Sequence, residues 1–175
     1  NANLQRYAEA FSFLQSKNLY TVDDLENTLH SMQDKIDALK KSASAKQARI
    51  KEVDALLRMV DYYKSGKPAA DKLKSIRFEK SRQKYKSEHD DELRTFYMAE
   101  RKLKPYFKDG KLPITAWRRE REQLEQDCKD IQTELSPLHA DAKKLWAIHY
   151  NIYEVQHEQE RQNTAMRQKK QEMER

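Results

Sequence analysis

Apolar residues recur along this chain in alternating steps of four and three over two long stretches. The first runs through Leu25, Leu29, Met32, Ile36, Leu39, Ala43, Lys46, Ile50, Val53, Leu57 and Val60. The second runs through Ile114, Trp117, Leu124, Cys128, Ile131, Leu135, Leu138, Ala142, Leu145 and Ile152. An ordinary amphipathic helix would show a wider apolar face that drifts with the 3.6-residue period. Five heptads without a slip instead select a coiled-coil seam. Lys46 interrupts the first seam, and Arg121 and His149 interrupt the second. The long stem of Lys46 can follow the seam while its ammonium reaches water, and a polar core residue fixes register at some cost in stability.

The ends of these helices are read from capping and turn chemistry. A short aromatic-faced element, with Leu4, Tyr7, Ala8, Phe11 and Leu14 at helical spacing, stops at Lys17-Asn18. Thr21, three residues before Asp24, is an N-cap with an acid at the positive end of the helix dipole. The helix that follows is expected from Val22 to Lys64, about 60 Å at roughly 1.5 Å per residue. Ser65-Gly66-Lys67-Pro68 predicts its end and a reversal, since glycine accepts the left-handed cap and proline opens a new helix. A second helix is expected from Ala69 to Tyr106, with its weakest packing in a polar middle. Lys108-Asp109-Gly110-Lys111, between Pro105 and Pro113, gives a second reversal. Thr115 caps a third long helix reaching at least Tyr153, kinked rather than reversed at Ser136-Pro137.

The predicted fold is therefore all-α: an elongated antiparallel helical bundle or coiled coil of three long helices plus a short N-terminal helix. Residues 1–155 form the helical domain and 156–175 a polar helical or frayed tail. Two glycines and four prolines agree with few, long elements. Hydrophobic and charged residues each make up 37% of the chain, so the core must be thin. The lone Cys128 supplies neither an internal disulfide nor a zinc site, and no apolar run reaches the roughly 20 residues of a membrane span. The chain reads as soluble and cytoplasmic. It begins without methionine, and Asn1-Ala2 reads as a cloning remnant, so the expectation is an excised piece of a longer protein.

No catalytic, metal or cofactor site is expected. Two isolated glycines cannot build a phosphate loop, and His30, His89, His139, His149 and His157 never fall at a spacing that places two imidazoles on one metal. The acid pairs Asp23-Asp24 and Asp90-Asp91 lie in charged helical runs, where they read as a solvated face.

Charge is more informative. Between Lys64 and Lys86 stand nine basic residues against Asp71 and Glu79, a local excess of +7 in a chain whose net charge is +6. Lys72, Lys74, Arg77, Lys80, Arg82, Lys84, Tyr85 and Lys86 are the candidate nucleic-acid-binding residues. Arg77, Lys80 and Lys84 are expected on one helix face, and Phe78 and Tyr85 among them are available either for base stacking or for the core. The alternatives are a solvated helix face and a purely structural coiled-coil module for dimerisation or protein docking.

One block goes further. Tyr85-x3-His89-x2-Glu92-Leu93-x2-Phe96-x2-Ala99-x3-Leu103-Lys104, then Asp109-Gly110-Lys111-Leu112-Pro113, then Trp117 and Glu120, resembles the helical C-terminal region of relaxases, the mobilisation nucleases of bacterial conjugative and mobilisable elements. It covers roughly residues 84–124, under a third of the chain. The resemblance implies a parent enzyme that nicks DNA through an N-terminal nuclease domain absent from this sequence. In it, this segment would bind DNA as an accessory arm, dock transfer-complex proteins or self-associate. Tyr62-Tyr63, with no histidine motif nearby, reads as packing and not as a nucleophile.

Overall fold

In a computed structural model of the protein, which describes residues 2–173, helices account for nearly the whole chain. They are α1 (Ala2–Ser16), α2 (Val22–Ser75), α3 (Glu79–Glu88), α4 (Asp90–Leu103) and α5 (Ile114–Met173), with a single 3-10 turn at Lys104–Tyr106. Asn1, Glu174 and Arg175 lie outside the described residues, as do the side chains of Ala2 and Asn3. The remnant reading of Asn1-Ala2 and the last two positions of the polar tail fall there. An all-α helical bundle is thus what the heptads produce. No strand occurs among the described residues, only an isolated bridge between Lys108 and Lys111.

The local chemistry accounts for each boundary. α1 closes in a Schellman motif: the Leu19 N–H donates to the Leu14 carbonyl at 3.0 Å and the Asn18 N–H to the Gln15 carbonyl at 3.0 Å. Asn18 adopts the left-handed φ of 56° that this cap requires. α2 opens with a reciprocal capping box, in which the Asp24 N–H donates to Thr21 Oγ1 at 3.0 Å and the Thr21 N–H to the Asp24 carboxylate at 3.1 Å. Those bonds from Thr21 and from the Tyr20 backbone favour the charged form of Asp24 and lower its pKa. The turn before α5 has positive φ at both Asp109 (48°) and Gly110 (73°), the two-residue geometry expected of Asp-Gly.

Three boundaries differ from the sequence expectation. α2 does not end at Gly66; it runs on through Pro68 to Ser75. Gly66 is buried inside the helix, and a Cβ added there would stand 2.6 Å from Phe96 Cβ. It permits the close approach of α4 and caps nothing. Ala69, Ala70 and Leu73, beyond the proline, are buried against Leu93 and Phe96. That burial outweighs the hydrogen bond lost at Pro68. The reversal falls instead at Ile76-Arg77-Phe78, so the expected helix from Ala69 to Tyr106 is divided among the end of α2, α3 and α4. α5 begins one residue early, where the Trp117 N–H donates to the Pro113 carbonyl at 3.0 Å, leaving Thr115 within the first turn. At Pro137, as expected, the chain does not reverse: α5 runs on through the proline.

The chain forms two compact units. One draws on the chain up to Lys41 and from Ile131 onward, the other on Ser42–Asp130. In the first, Leu25, Leu29 and Leu145 pack with Leu19, covered by Phe13 and Leu14 of α1, and Ile36 packs with Leu135 and Ala142. In the second, Val53 and Val60 of α2 meet Leu103 of α4 and Trp117 of α5. Lys46 with Asp127 and Arg49 with Glu120 set α2 and α5 antiparallel there. α4 also runs antiparallel to α2, with Leu93 near Leu73 and Leu103 near Val53 and Val60. Every seam position from Leu25 to Val60 is buried or half-buried.

The polar seam positions all find carboxylates. Lys46 Nζ reaches Asp127 Oδ2 at 2.6 Å, where the expectation had been open water, and Arg121 lies on Asp54 and Glu125. His149 Nε2 stands 2.9 Å from Glu26 Oε1. Arg49 forms a two-point pair with Glu120 at 2.7 and 3.1 Å, which raises the guanidinium pKa above its ordinary value and lowers that of the carboxyl.

Candidate nucleic-acid interface

The basic stretch is carried by three pieces of backbone within the second unit. Lys72 and Lys74 lie on the last turn of α2, Arg77 on the Ile76-Arg77-Phe78 turn, and Lys80, Arg82, Lys84, Tyr85 and Lys86 on α3. Arg77 therefore does not share a helix face with Lys80 and Lys84, as an uninterrupted helix would have required. Lys80 and Lys84 remain one turn apart on α3.

α3 has no buried residue. Its only inward contact from an apolar side chain is Tyr85, half-buried against the Ala69, Ala70, Leu73, Leu93 and Phe96 cluster. Tyr85 also stacks on His89 at 4.2 Å between ring centroids and receives Lys72 Nζ at 5.2 Å from its ring. Its ring is engaged by both neighbours and by the core cluster, so its role is to anchor α3. Phe78 is the opposite case. It is 79% exposed, on extended backbone at the start of α3, and it is the aromatic that stands open to a planar ligand.

Electrostatic partners divide the cations. Lys67 pairs with Asp71 at 3.1 Å, and that hydrogen bond raises the lysine pKa. Lys84 approaches Glu88 at 3.8 Å and Arg82 approaches Glu79 at 4.0 Å, both weak exposed pairs. Lys74, Arg77, Lys80 and Lys86 form no ion pair among the described residues. The junction thus presents solvated positive charges, four of which have no ion-pair partner among the described residues.

Below the junction the chain leaves a cleft of about 680 Å³ between α2 and α4, lined by Tyr63, Tyr97, Glu100, Arg101, Lys104 and Phe107. Nothing in the heptad pattern marks it, because it arises from where α4 and the Phe107 turn meet α2. Among the described residues, no group of three or more His, Cys, Asp and Glu side chains converges to hold a metal ion. No helix among them is long and apolar enough to cross a membrane.

The residues that carry the relaxase resemblance have structural work in this fold. His89 is the hinge between α3 and α4: its N–H donates to the Tyr85 carbonyl at 3.1 Å, and its carbonyl accepts from the Leu93 N–H at 2.9 Å. Its Nδ1 lies 3.2 Å from Glu92 Oε2. Leu93, Phe96, Ala99, Leu103 and Trp117 are buried, and Glu120 holds Arg49. Compared with protein families, curated proteins and solved structures, the chain finds no match.

Proposed function

We propose that this chain is an accessory nucleic-acid-binding arm with no catalytic group of its own, set in a relaxase-like mobilisation nuclease. One observation carries the reading. α3 and the turn before it bury almost nothing, yet they concentrate basic side chains and one open aromatic, Phe78, at a single junction of the fold. A helix that gives so little to its own core is suited to a partner, and phosphate backbones are the partner that dispersed, flexible cations recognise. The resemblance from Tyr85 to Trp117 supplies the setting, in which such an arm follows a nuclease domain and steadies the strand being processed.

A docking reading is favoured by a different surface. Leu4, Tyr7 and Phe11 of α1 are 77%, 64% and 62% exposed and lie in one row, as a face for transfer-complex proteins or a second copy would. The experiment that separates the two is DNA binding by the full chain as a function of salt. Binding to single- and double-stranded DNA should weaken steeply as salt rises, and Arg77→Gln/Lys80→Gln/Lys84→Gln should weaken both forms together. Absence of binding at low salt leaves the docking reading in its place.

A further inference from the structure

We infer that the cleft between α2 and α4 receives one unpaired nucleotide of a single-stranded nucleic acid. This deepens the nucleic-acid reading and rests on it, but it concerns side chains distant in sequence from the basic junction. The cleft wall is a fixed aromatic surface: the Tyr63 ring stacks on Phe96 at 5.1 Å between centroids and meets Phe107 edge-on at 5.8 Å. Phe96 meets Tyr97 edge-on at 5.2 Å. Phe96 itself is buried, so the rings are held by the core and a planar ligand meets them without first ordering them.

Cations stand at the rim of that wall. Arg101 in the last turn of α4 and Lys104, which opens the 3-10 turn after it, are exposed and three residues apart, and neither forms an ion pair among the described residues. Glu100 beside them is a hydrogen-bond acceptor of the kind an exocyclic amine of a base satisfies. An aromatic wall of rings set at angles to one another, two cations without ion-pair partners among the described residues and one acceptor, in a cavity of small-ligand size, match a base with its attached phosphate. Duplex DNA, whose bases are stacked inside, cannot present that group without being opened.

The test uses the full chain, a short oligodeoxycytidine single strand, a duplex of the same length, and free phosphotyrosine as a competitor. Arg101→Gln/Lys104→Gln lies at exposed positions and leaves folding intact. It should weaken single-strand binding at least about fivefold and shallow the single-strand log K against log[salt] slope by up to about 1.4, with duplex affinity within about twofold. Tyr97→Leu, checked for an unchanged thermal midpoint, should weaken only the single strand. Crosslinking from 5-bromodeoxycytidine in that strand should map to the cleft. Equal effects on single strand and duplex, no effect of either variant, or displacement of the oligonucleotide by phosphotyrosine would overturn the cleft assignment. If the triple variant at Arg77, Lys80 and Lys84 still weakens both DNA forms, the junction reading survives that failure; if the unmodified chain binds no DNA, both fall.

Discussion

At Gly66 an added methyl group would meet Phe96 Cβ at 2.6 Å and the Glu92 carbonyl oxygen at 3.1 Å. Alanine gains up to about 1 kcal/mol over glycine in a helix interior, but overpacking a tight contact costs about 1–3 kcal/mol. Neither obstructing atom is the tip of a flexible side chain, so the clash wins. Gly66→Ala should destabilise the protein in denaturant titration by about 1 kcal/mol or more; a stabilised variant would mean that α4 does not press on α2 there. Asp24, Glu120 and Asp127 show what a capping hydrogen bond and two ion pairs contribute. Each carboxyl has its pKa lowered, chiefly by Thr21, Arg49 and Lys46 respectively. A depressed folded pKa gives stability that is present above the unfolded value and lost as pH falls through the folded one. Thermal midpoints should therefore hold down to about pH 4 and drop below it. Glu120→Gln should flatten that acid limb, and an unchanged limb would remove the Arg49 pair from the account. The identity of Gly66 as a contact residue was not legible in the sequence, because a capping glycine and a close-packing glycine beside Pro68 read alike until the partner helix is known.

Pro68 decides the same question at the scale of the element. Inside α2 it denies a backbone donor to the Lys64 carbonyl, so Pro68→Ala should stabilise the chain by about 1–3 kcal/mol and raise helicity. Were the chain to reverse at Gly66, the proline would sit favourably at a helix start, and its loss would be neutral or destabilising. The heptad seams, by contrast, were fully legible, since burial of Leu25, Leu29, Ile36, Val53 and Val60 follows directly from their spacing. What the seams could not reveal is the junction. Ile76-Arg77-Phe78 contains neither glycine nor proline, and it forms where the α2 contacts of Leu73 end and those of Leu93 begin. The basic residues of the candidate interface were legible as charge. Their division between α2, the turn and α3, and the engagement of Tyr85 by Lys72 and His89, depended on that unmarked turn.

Across the whole molecule, each unit owns a separate core and so offers a separate test of packing. Leu135→Ala in one and Leu103→Ala in the other should each cost about 2–5 kcal/mol, because both side chains are buried. Negligible losses would show the cores to be misassigned. Charge is distributed less evenly than the cores. The excess of +7 between Lys64 and Lys86 exceeds the +6 of the entire chain, so the remainder is slightly acidic in sum and this stretch is a strong candidate to neutralise a run of phosphates. Lys40→Gln/Lys41→Gln/Lys51→Gln, at exposed positions, is the matched control for charge; Arg49 is unsuitable because it holds Glu120. The most direct measurement is the slope of log K against log[salt] for duplex DNA, compared between the unmodified chain, this control and Arg77→Gln/Lys80→Gln/Lys84→Gln. The junction triple should shallow the slope by up to about 2–3 with helicity unchanged, and the control should leave it within error. Equal slopes in all three proteins, or no DNA binding by the unmodified chain at low salt, would contradict a nucleic-acid role.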